Sequence, residues 1–289
     1  MAEARSVLAK YETAKNQADS QLAGSLLRQY ETGPVLATDL ARYKIASGLH
    51  HGGQESHVTY RDPQIYIPRL AAYPYWFIVV TARSNDKENK AEYLVFERSS
   101  VTTGWKLALA PTGFKGASVP HVVTDREGHA MPVSKTAPLA IAPGKIAAAH
   151  ADLLTVGTKS ATTARLNLDQ TTAQLLKQNA DETSSLAATA TSAHSYRPAS
   201  DGLYCALRTE GGALVIYATT SVVEITGRGL AGIQAEKEIE TLAGVSGYFS
   251  HASSTGVEQF AAFIPASGKA TVLGHAGALT GAALRGRLA

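Results

Sequence analysis

Three short stretches of the chain hold residue types that carry chemistry. Gly227-Arg228-Gly229-Leu230-Ala231-Gly232 has the glycine spacing of a dinucleotide-binding turn. That spacing works where a strand feeds a helix inside a βαβ unit, so that backbone amides meet a pyrophosphate. The strands on either side read as antiparallel, and no acidic residue follows at the roughly 20-residue distance at which a ribose would be gripped. The run therefore predicts a glycine-rich turn ahead of a short helix from Gln234 to Leu242. His50, His51 and His57, with Glu55 between them, look at first like a metal cluster. Adjacent histidines on a regular element cannot both face one ion, so the spacing favours a solvated loop. Glu236 and Glu240 sit four apart on the expected helix and share a face. An acid/base pair needs one carboxyl in an apolar pocket to raise its affinity for a proton, and nothing in the sequence supplies one, which favours a solvated helix face.

Nucleophile chemistry is no better marked. The chain lacks the G-x-S-x-G and H-E-x-x-H patterns, and its single cysteine, Cys205, sits in an apolar segment that reads as a buried strand. The remaining histidines, 121, 129, 150, 194, 251 and 275, have no ligand spacing. The strongest binding candidates are aromatic: Tyr66, Tyr73, Tyr75 and Trp76, next to Phe77. Tyrosine and tryptophan combine apolar area with a polar tip, which suits a ligand site and suits the core of a curved sheet equally. No catalytic residue, cofactor or metal site is assigned from the sequence.

The elements that position these residues alternate in period. Tyr11, Ala14, Ala18, Leu22, Leu26 and Tyr30 recur at steps of three and four, which predicts one helix from about Ala4 to Tyr30, stopped by Gly33-Pro34. A shorter helix is expected over Val35 to Ile45. The period then changes to that of strands at Ile65–Ile67, Trp76–Arg83, Tyr93–Arg98 and Trp105–Ala110, joined by short polar tips that favour antiparallel neighbours. Residues 111–144, with Pro120, Pro132, Pro138 and Pro143, read as a connection packed through Val122, Val123, Met131 and Val133. The order then repeats. Helices are expected over Lys145–Leu154 and Asp169–Asn179, followed by a Ser/Thr/Ala-rich passage from Thr183 to Ser200. Strands follow at Leu203–Thr209, Ala213–Ile225, Gly247–Ser253, Val257–Ile264 and Ala270–Gly274.

The expectation is an α+β protein of two tandem modules, 1–118 and 145–289, each with helices packed on a curved antiparallel sheet, joined by a segment 119–144. Composition agrees with a chain able to bury a core, at 45% hydrophobic and 18% charged over 289 residues. A formal net charge of +3, with acids and bases interspersed, gives no footprint for nucleic acid. The chain begins Met1-Ala2-Glu3-Ala4-Arg5 without an apolar leader, and its longest apolar stretch, near Leu70–Ala82, is too short to span a bilayer.

The helix containing Val7-Leu8-Ala9-Lys10-Tyr11 and Leu26-Leu27, with the hairpins Tyr93–Ala110 and Ala206–Tyr217, resembles a family of uncharacterised predicted lipoproteins of actinobacteria. The resemblance implies export, and attachment to the outer face of the membrane through a lipidated cysteine upstream of residue 1. It also implies that each half takes the NTF2-like or cystatin-like form, a helix lying in a bent sheet. Together these give the expected function: a non-catalytic protein of the bacterial cell surface that binds a small molecule or a protein. An enzyme of isomerase or cyclase type using an NTF2-like cavity is the alternative function, and the cytoplasm the alternative location.

Overall fold

The computed structural model describes residues 1–53, 57–199, 203–229 and 232–288. Three helices open the chain: α1 (Ala2–Gln21), α2 (Gly24–Tyr30) and α3 (Gly33–Gly48). Strands β1 (Tyr60–Tyr66), β2 (Tyr75–Arg83), β3 (Glu92–Arg98), β4 (Lys106–Leu109) and β5 (Thr112–Gly113) follow. Beyond the connection come α4 (Ile146–Val156), α5 (Gln170–Leu186), β6 (Ala190–Pro198), β7 (Cys205–Thr209), β8 (Gly212–Gly227) and β9 (Ile233–Gln234). The chain closes with α6 (Lys237–Ala243), β10 (Tyr248–Pro265) and β11 (Thr271–Arg287). It is a mixed α+β protein with a large open sheet, and all pairs between these strands are antiparallel.

The sheet runs β1-β2-β3-β5-β11-β10-β8-β6, so the short β5 joins the first-half strands to the second-half strands. Period-two alternation assigns every layer of the core. On β2 and β3, Phe77, Val79, Leu94 and Phe96 face α1 and α3, while Trp76, Ile78, Val80, Tyr93 and Val95 face the other way. On β8, Val215 and Tyr217 pack with α4, whereas Leu214 and Ile216 pack against the outward faces of β2 and β3. The molecule is thus layered helix, sheet, sheet, helix, and both faces of β8 are buried.

The connection packs as its valines predict. Val123 and Met131 bracket β7 through Val123 N to Arg208 O at 2.8 Å and Arg208 N to Met131 O at 2.8 Å, and Val133 N donates to Ala206 O at 3.0 Å. Val122 is buried in the layer between the sheets.

Several elements differ from their expected bounds. The first helix is two helices, because Leu22 turns left-handed (φ 50°) and Gly24 lets the chain pass so close to α3 that a Cβ there would lie 2.7 Å from Leu40 Cδ2. Leu22, Leu26, Leu27, Leu36, Leu40 and Tyr43 then close a small core of their own around Ala18. The Ser/Thr/Ala-rich passage becomes the last turns of α5 and then β6, whose alternating burial lets small polar residues serve an edge strand. Residues 254–256, read as a break between two strands, lie inside one 18-residue strand, β10, with a bulge between Thr255 and Gly256. The glycine- and alanine-rich tail beyond Gly274 continues as β11 because β10 supplies a ladder partner for nearly its whole length.

Candidate functional site

A cleft of about 470 Å³ opens where the two halves meet. Its origin is a gap in the strand pairing. β7 pairs with β8 only as far as Ile216, and β6 begins its pairing at Thr219. Between them Tyr217 and Ala218 present an edge toward the cleft, and Ala199 N donates to Ala218 O at 3.1 Å. The first half supplies one wall from Thr32-Gly33-Pro34 at the start of α3, from Ala108-Leu109 on β4, and from Glu97 on β3. The second half supplies the other from Pro143-Gly144, Ile146 and Ala147 at the start of α4, with Leu203 and Tyr204 beside them.

The lining is mostly apolar, with few polar groups. Lys135, from the connection, brings its ammonium 5.3 Å from the centroid of the Tyr204 ring, a cation–π arrangement. The Tyr204 hydroxyl donates to Val133 O at 3.0 Å, and Gly144 N donates to Lys135 O at 2.9 Å, so the side of the cleft that carries the cation is braced by its own backbone.

Behind each wall lies a buried polar cluster. On the second-half side His150 of α4 is fully buried, with Nδ1 2.9 Å from the Tyr217 hydroxyl and Nε2 3.2 Å from Thr172 Oγ1 of α5. Burial, then the His275 imidazole, lowers the His150 pKa to about 3, so the ring is neutral and bridges three elements. Asp169 caps α5 through Thr172 N at 3.0 Å and reaches Val272 N of β11 at 2.8 Å. On the first-half side Glu31, fully buried between α2 and α3, accepts from the Tyr11 hydroxyl at 3.0 Å. Lys15 lies 2.5 Å from Asp19 and 3.1 Å from Asp39, and Arg42 lies 2.6 Å from Asp19.

The residues singled out from the sequence are dispersed. Trp76 is buried in the layer between the sheets, and Tyr66 packs at the edge of that layer with its hydroxyl 2.7 Å from Gln64 Oε1. Tyr73 and Tyr75 stack on the surface with centroids 4.1 Å apart, Tyr73 being 38% exposed. Cys205 is buried on β7, and burial pushes its thiol well up. Among the glycine run, Gly229 and Gly232 take positive φ ahead of β9 and α6, and Leu230 and Ala231 lie outside the described residues. His50, His51 and His57 lie in an exposed stretch, and Glu55 falls outside the described residues. Among the described residues no group of three or more His, Cys, Asp or Glu side chains is placed to hold a metal ion.

Glu240 is a correction. It is 6% exposed rather than solvated, because Lys237 Nζ at 2.7 Å and Gly247 N at 3.2 Å hold its carboxylate over the turn that follows α6. The sequence missed Glu31, His150 and Tyr217 for a common reason: their partners lie 20 to 67 residues away. It also missed a pair on β10 and β11, where Glu258 Oε2 lies 2.7 Å from His275 Nε2. Glycine at 277 makes room for that carboxylate, since a Cβ there would fall 1.7 Å from Glu258 Oε2.

The fold and cleft define a mixed α+β protein with a ligand-sized seam between two helix-backed sheet layers. The chain belongs to the family described as "Domain of unknown function (DUF8094)", whose model matches residues 1–283. It is similar to an uncharacterized lipoprotein of Streptomyces coelicolor, 29% identical over 295 residues that take in 96% of this chain and 84% of the relative. An uncharacterized lipoprotein of Streptomyces avermitilis is 32% identical over 158 residues, 54% of this chain and 47% of that protein. A second uncharacterized lipoprotein of Streptomyces coelicolor is 30% identical over 138 residues, 46% of this chain and 38% of the relative. No solved structure matches the chain. Among the described residues no helix is long and apolar enough to cross a membrane.

The depressed His150 pKa fixes a sign for acid stability. The unfolded ring takes a proton near pH 6.5 and the folded ring only near 3, so the unfolded chain binds more protons across that window. This residue's contribution therefore falls as pH drops below about 6.5, by up to about 1.4 kcal/mol per unit. His150→Phe removes that dependence and leaves the Tyr217 and Thr172 hydroxyls unpaired, at a cost of about 1–3 kcal/mol at pH 7. Urea unfolding should show the stability gap between wild type and His150→Phe closing as pH falls from 7 and reversing in sign by pH 4. A gap that stays constant contradicts a buried neutral ring.

Proposed function

We propose that this protein is a non-catalytic binding protein of the bacterial cell surface, and that its ligand occupies the cleft between the halves. The observation that carries the reading is the cleft itself. Its volume, about 470 Å³, lies within the roughly 300–1,000 Å³ of small-molecule sites, and its apolar lining carries a few polar groups that converge on one space. The chemistry fits a compact, largely apolar molecule with a polar end directed toward Lys135 and Tyr204. The stacked Tyr73–Tyr75 pair is a second contact surface suited to a flat or aliphatic group, while Tyr66 and Trp76 pack in the layer between the sheets.

We read the two halves, 1–118 and 145–289 with 119–144 between them, as repeats of one plan in NTF2-like or cystatin-like form. The repeated order of helices followed by antiparallel strands, and the burial of opposite sheet faces under opposite helices, support this reading. Surface display is supported by the three relatives, each of which is named a lipoprotein. Metabolic labelling with radioactive palmitate should put label on the natural gene product in the membrane fraction of its host; an unlabelled product found only in the cytosol removes this placement.

An isomerase- or cyclase-type activity is the second reading, and one observation favours it. Glu258, His275, Ser221 and Tyr196 share the helix-facing side of the second-half sheet, with Ser221 Oγ 3.3 Å from Glu258 Oε1. A carboxylate beside an imidazole is the minimum for moving a proton. Under this reading Glu258→Gln lowers turnover of any substrate found by at least 100-fold with the fold intact; unchanged turnover excludes the pair as its acid–base machinery.

Binding in the cleft is tested by filling it. A thermal-shift screen of small amphipathic compounds should find molecules that stabilise the wild type, by about 2.7 kcal/mol when present at 100 times their Kd. Ala147→Trp, which places an indole in the cleft, should fold normally and lose that stabilisation. A compound that stabilises both chains equally binds elsewhere, and a screen that finds none contradicts the reading.

A further inference from the structure

In the cleft wall built by the first half, the start of α3 is bridged to β4, which β3 pairs in turn, and a carboxyl group sits directly behind that bridge. Glu31 and Leu107 form a parallel bridge, and Thr32 N donates to Leu107 O at 2.9 Å. The next residues on each side of that fastening, Thr32–Pro34 and Ala108–Leu109, are the wall itself. Gly33 holds φ at +53° there, a conformation glycine adopts without the strain a side chain would bring, so the chain can turn between the bridge and the body of α3. The Glu31 side chain points away from the cleft into the layer between α1, α3 and the sheet. Tyr11 donates to Oε1, and Oε2 is enclosed without a partner.

Charge counting shows what ionisation of Glu31 would do. α1 presents Tyr11, Lys15 and Asp19 to this region, and α3 presents Asp39, Arg42 and Tyr43. β1 contributes the Tyr60 hydroxyl, with Glu12 of α1 held on the Tyr60 amide at 3.0 Å. β2 and β3 contribute Arg83 and Glu92, 3.0 Å apart, and Lys106 of β4 is committed to Arg28 O at 2.7 Å. Lys15 and Arg42 balance Asp19 and Asp39, while Arg83 balances Glu92. A neutral Glu31 leaves the cluster balanced. An ionised Glu31 adds a buried negative charge supported by the Tyr11 hydrogen bond and by a Lys15 ammonium already shared between Asp19 and Asp39, and desolvation with the Asp39 charge outweighs that support.

We propose that Glu31 is a proton-operated latch on the cleft wall: neutral, it lets Thr32–Pro34 stay fastened to β4, and ionised, it releases that segment and loosens the cleft. The proposal rests on the reading of the cleft as the binding site. Burial, and then the Asp39 charge, push the Glu31 pKa up to about 8, so the latch would work just above neutral pH. The folded chain holds this proton up to about pH 8 and the unfolded chain only to about 4.5, so the stabilising contribution is lost as pH rises through that window.

The test reads the wall directly in the intact chain. Hydrogen-exchange protection of the Thr32 amide is measured from pH 6.5 to 9.5 and corrected for intrinsic exchange. The wild type should lose protection at least tenfold through pH 8, and Glu31→Gln should keep it. Asp39→Asn, which removes the neighbouring negative charge, should move the midpoint to lower pH, and it decides the matter if Glu31→Gln does not fold. Protection that ignores pH in the wild type, an equal loss in Glu31→Gln, or an unmoved midpoint in Asp39→Asn overturns the latch. Binding of 8-anilinonaphthalene-1-sulfonate to wild type and Ala147→Trp separates the two claims. If Thr32 behaves as expected while the dye ignores Ala147→Trp at every pH, the latch stands and the cleft fails as the dye site.

Discussion

Both faces of β8 are buried, and that constraint organises the molecule. A strand with one solvated face tolerates polar residues at alternate positions; β8 from Ala213 to Tyr217 has none. Its odd residues meet α4 and the even ones meet strands β2 and β3 of the first half. β10 repeats the arrangement, with Phe260 and Ala262 turned to α4 and Ala261 turned to the first half. The two halves therefore cannot separate without exposing a shared layer that includes Trp76, Ile78, Tyr93, Val95, Leu214 and Ile216. The cleft forms at the margin of the shared layer, where, among the described residues, neither β6 nor β7 pairs with β8 at Tyr217 and Ala218, while β10 pairs with them on the other edge.

Polar groups in the interior concentrate behind the cleft walls, and both main clusters bridge several elements. His150 joins α4, α5 and β8; Glu31 joins the α2–α3 junction to α1. Buried polar networks fix one arrangement of the elements they join, because any other leaves a group unpaired. The walls of the cleft are in this way held by chemistry that is out of reach of solvent, while the surface of the cleft is left largely apolar.

The general plan was legible in the sequence where period and turn chemistry are strong. The strands at Trp76–Arg83 and Tyr93–Arg98, the polar tip between them, the packed connection and the short helix after the glycine run all follow from local pattern. The misreadings have local causes too. Ser254-Thr255-Gly256 has the composition of a turn and carries a bulge within β10, and the glycine- and alanine-rich end of β11 has low strand preference that the β10 ladder overrides. The site was not legible. Its lining comes from the starts of two helices, four strands and the connection, and residues such as Pro34, Ala108 and Ala147 carry no chemical mark. Glu31 looks like any helix-terminal acid, and only the fold shows that its neighbours' cations are already taken. The aromatic run at Tyr73–Phe77 drew attention because it combines an exposed stacked pair with two core residues, one on each face of β2.

The shared layer is tested most directly by unfolding. Trp105 packs in the first-half core and Trp76 in the shared layer, so in a Trp76→Phe background the fluorescence of Trp105 reports the first half, and amide exchange in β10 reports the other. Ile216→Ala, a second-half substitution at a position 1% exposed, should cost about 2–5 kcal/mol. In urea, the tryptophan signal and the β10 amides should lose structure together and move to lower denaturant by the same amount in the variant. A tryptophan transition left in place by Ile216→Ala would contradict a single core shared by the two halves.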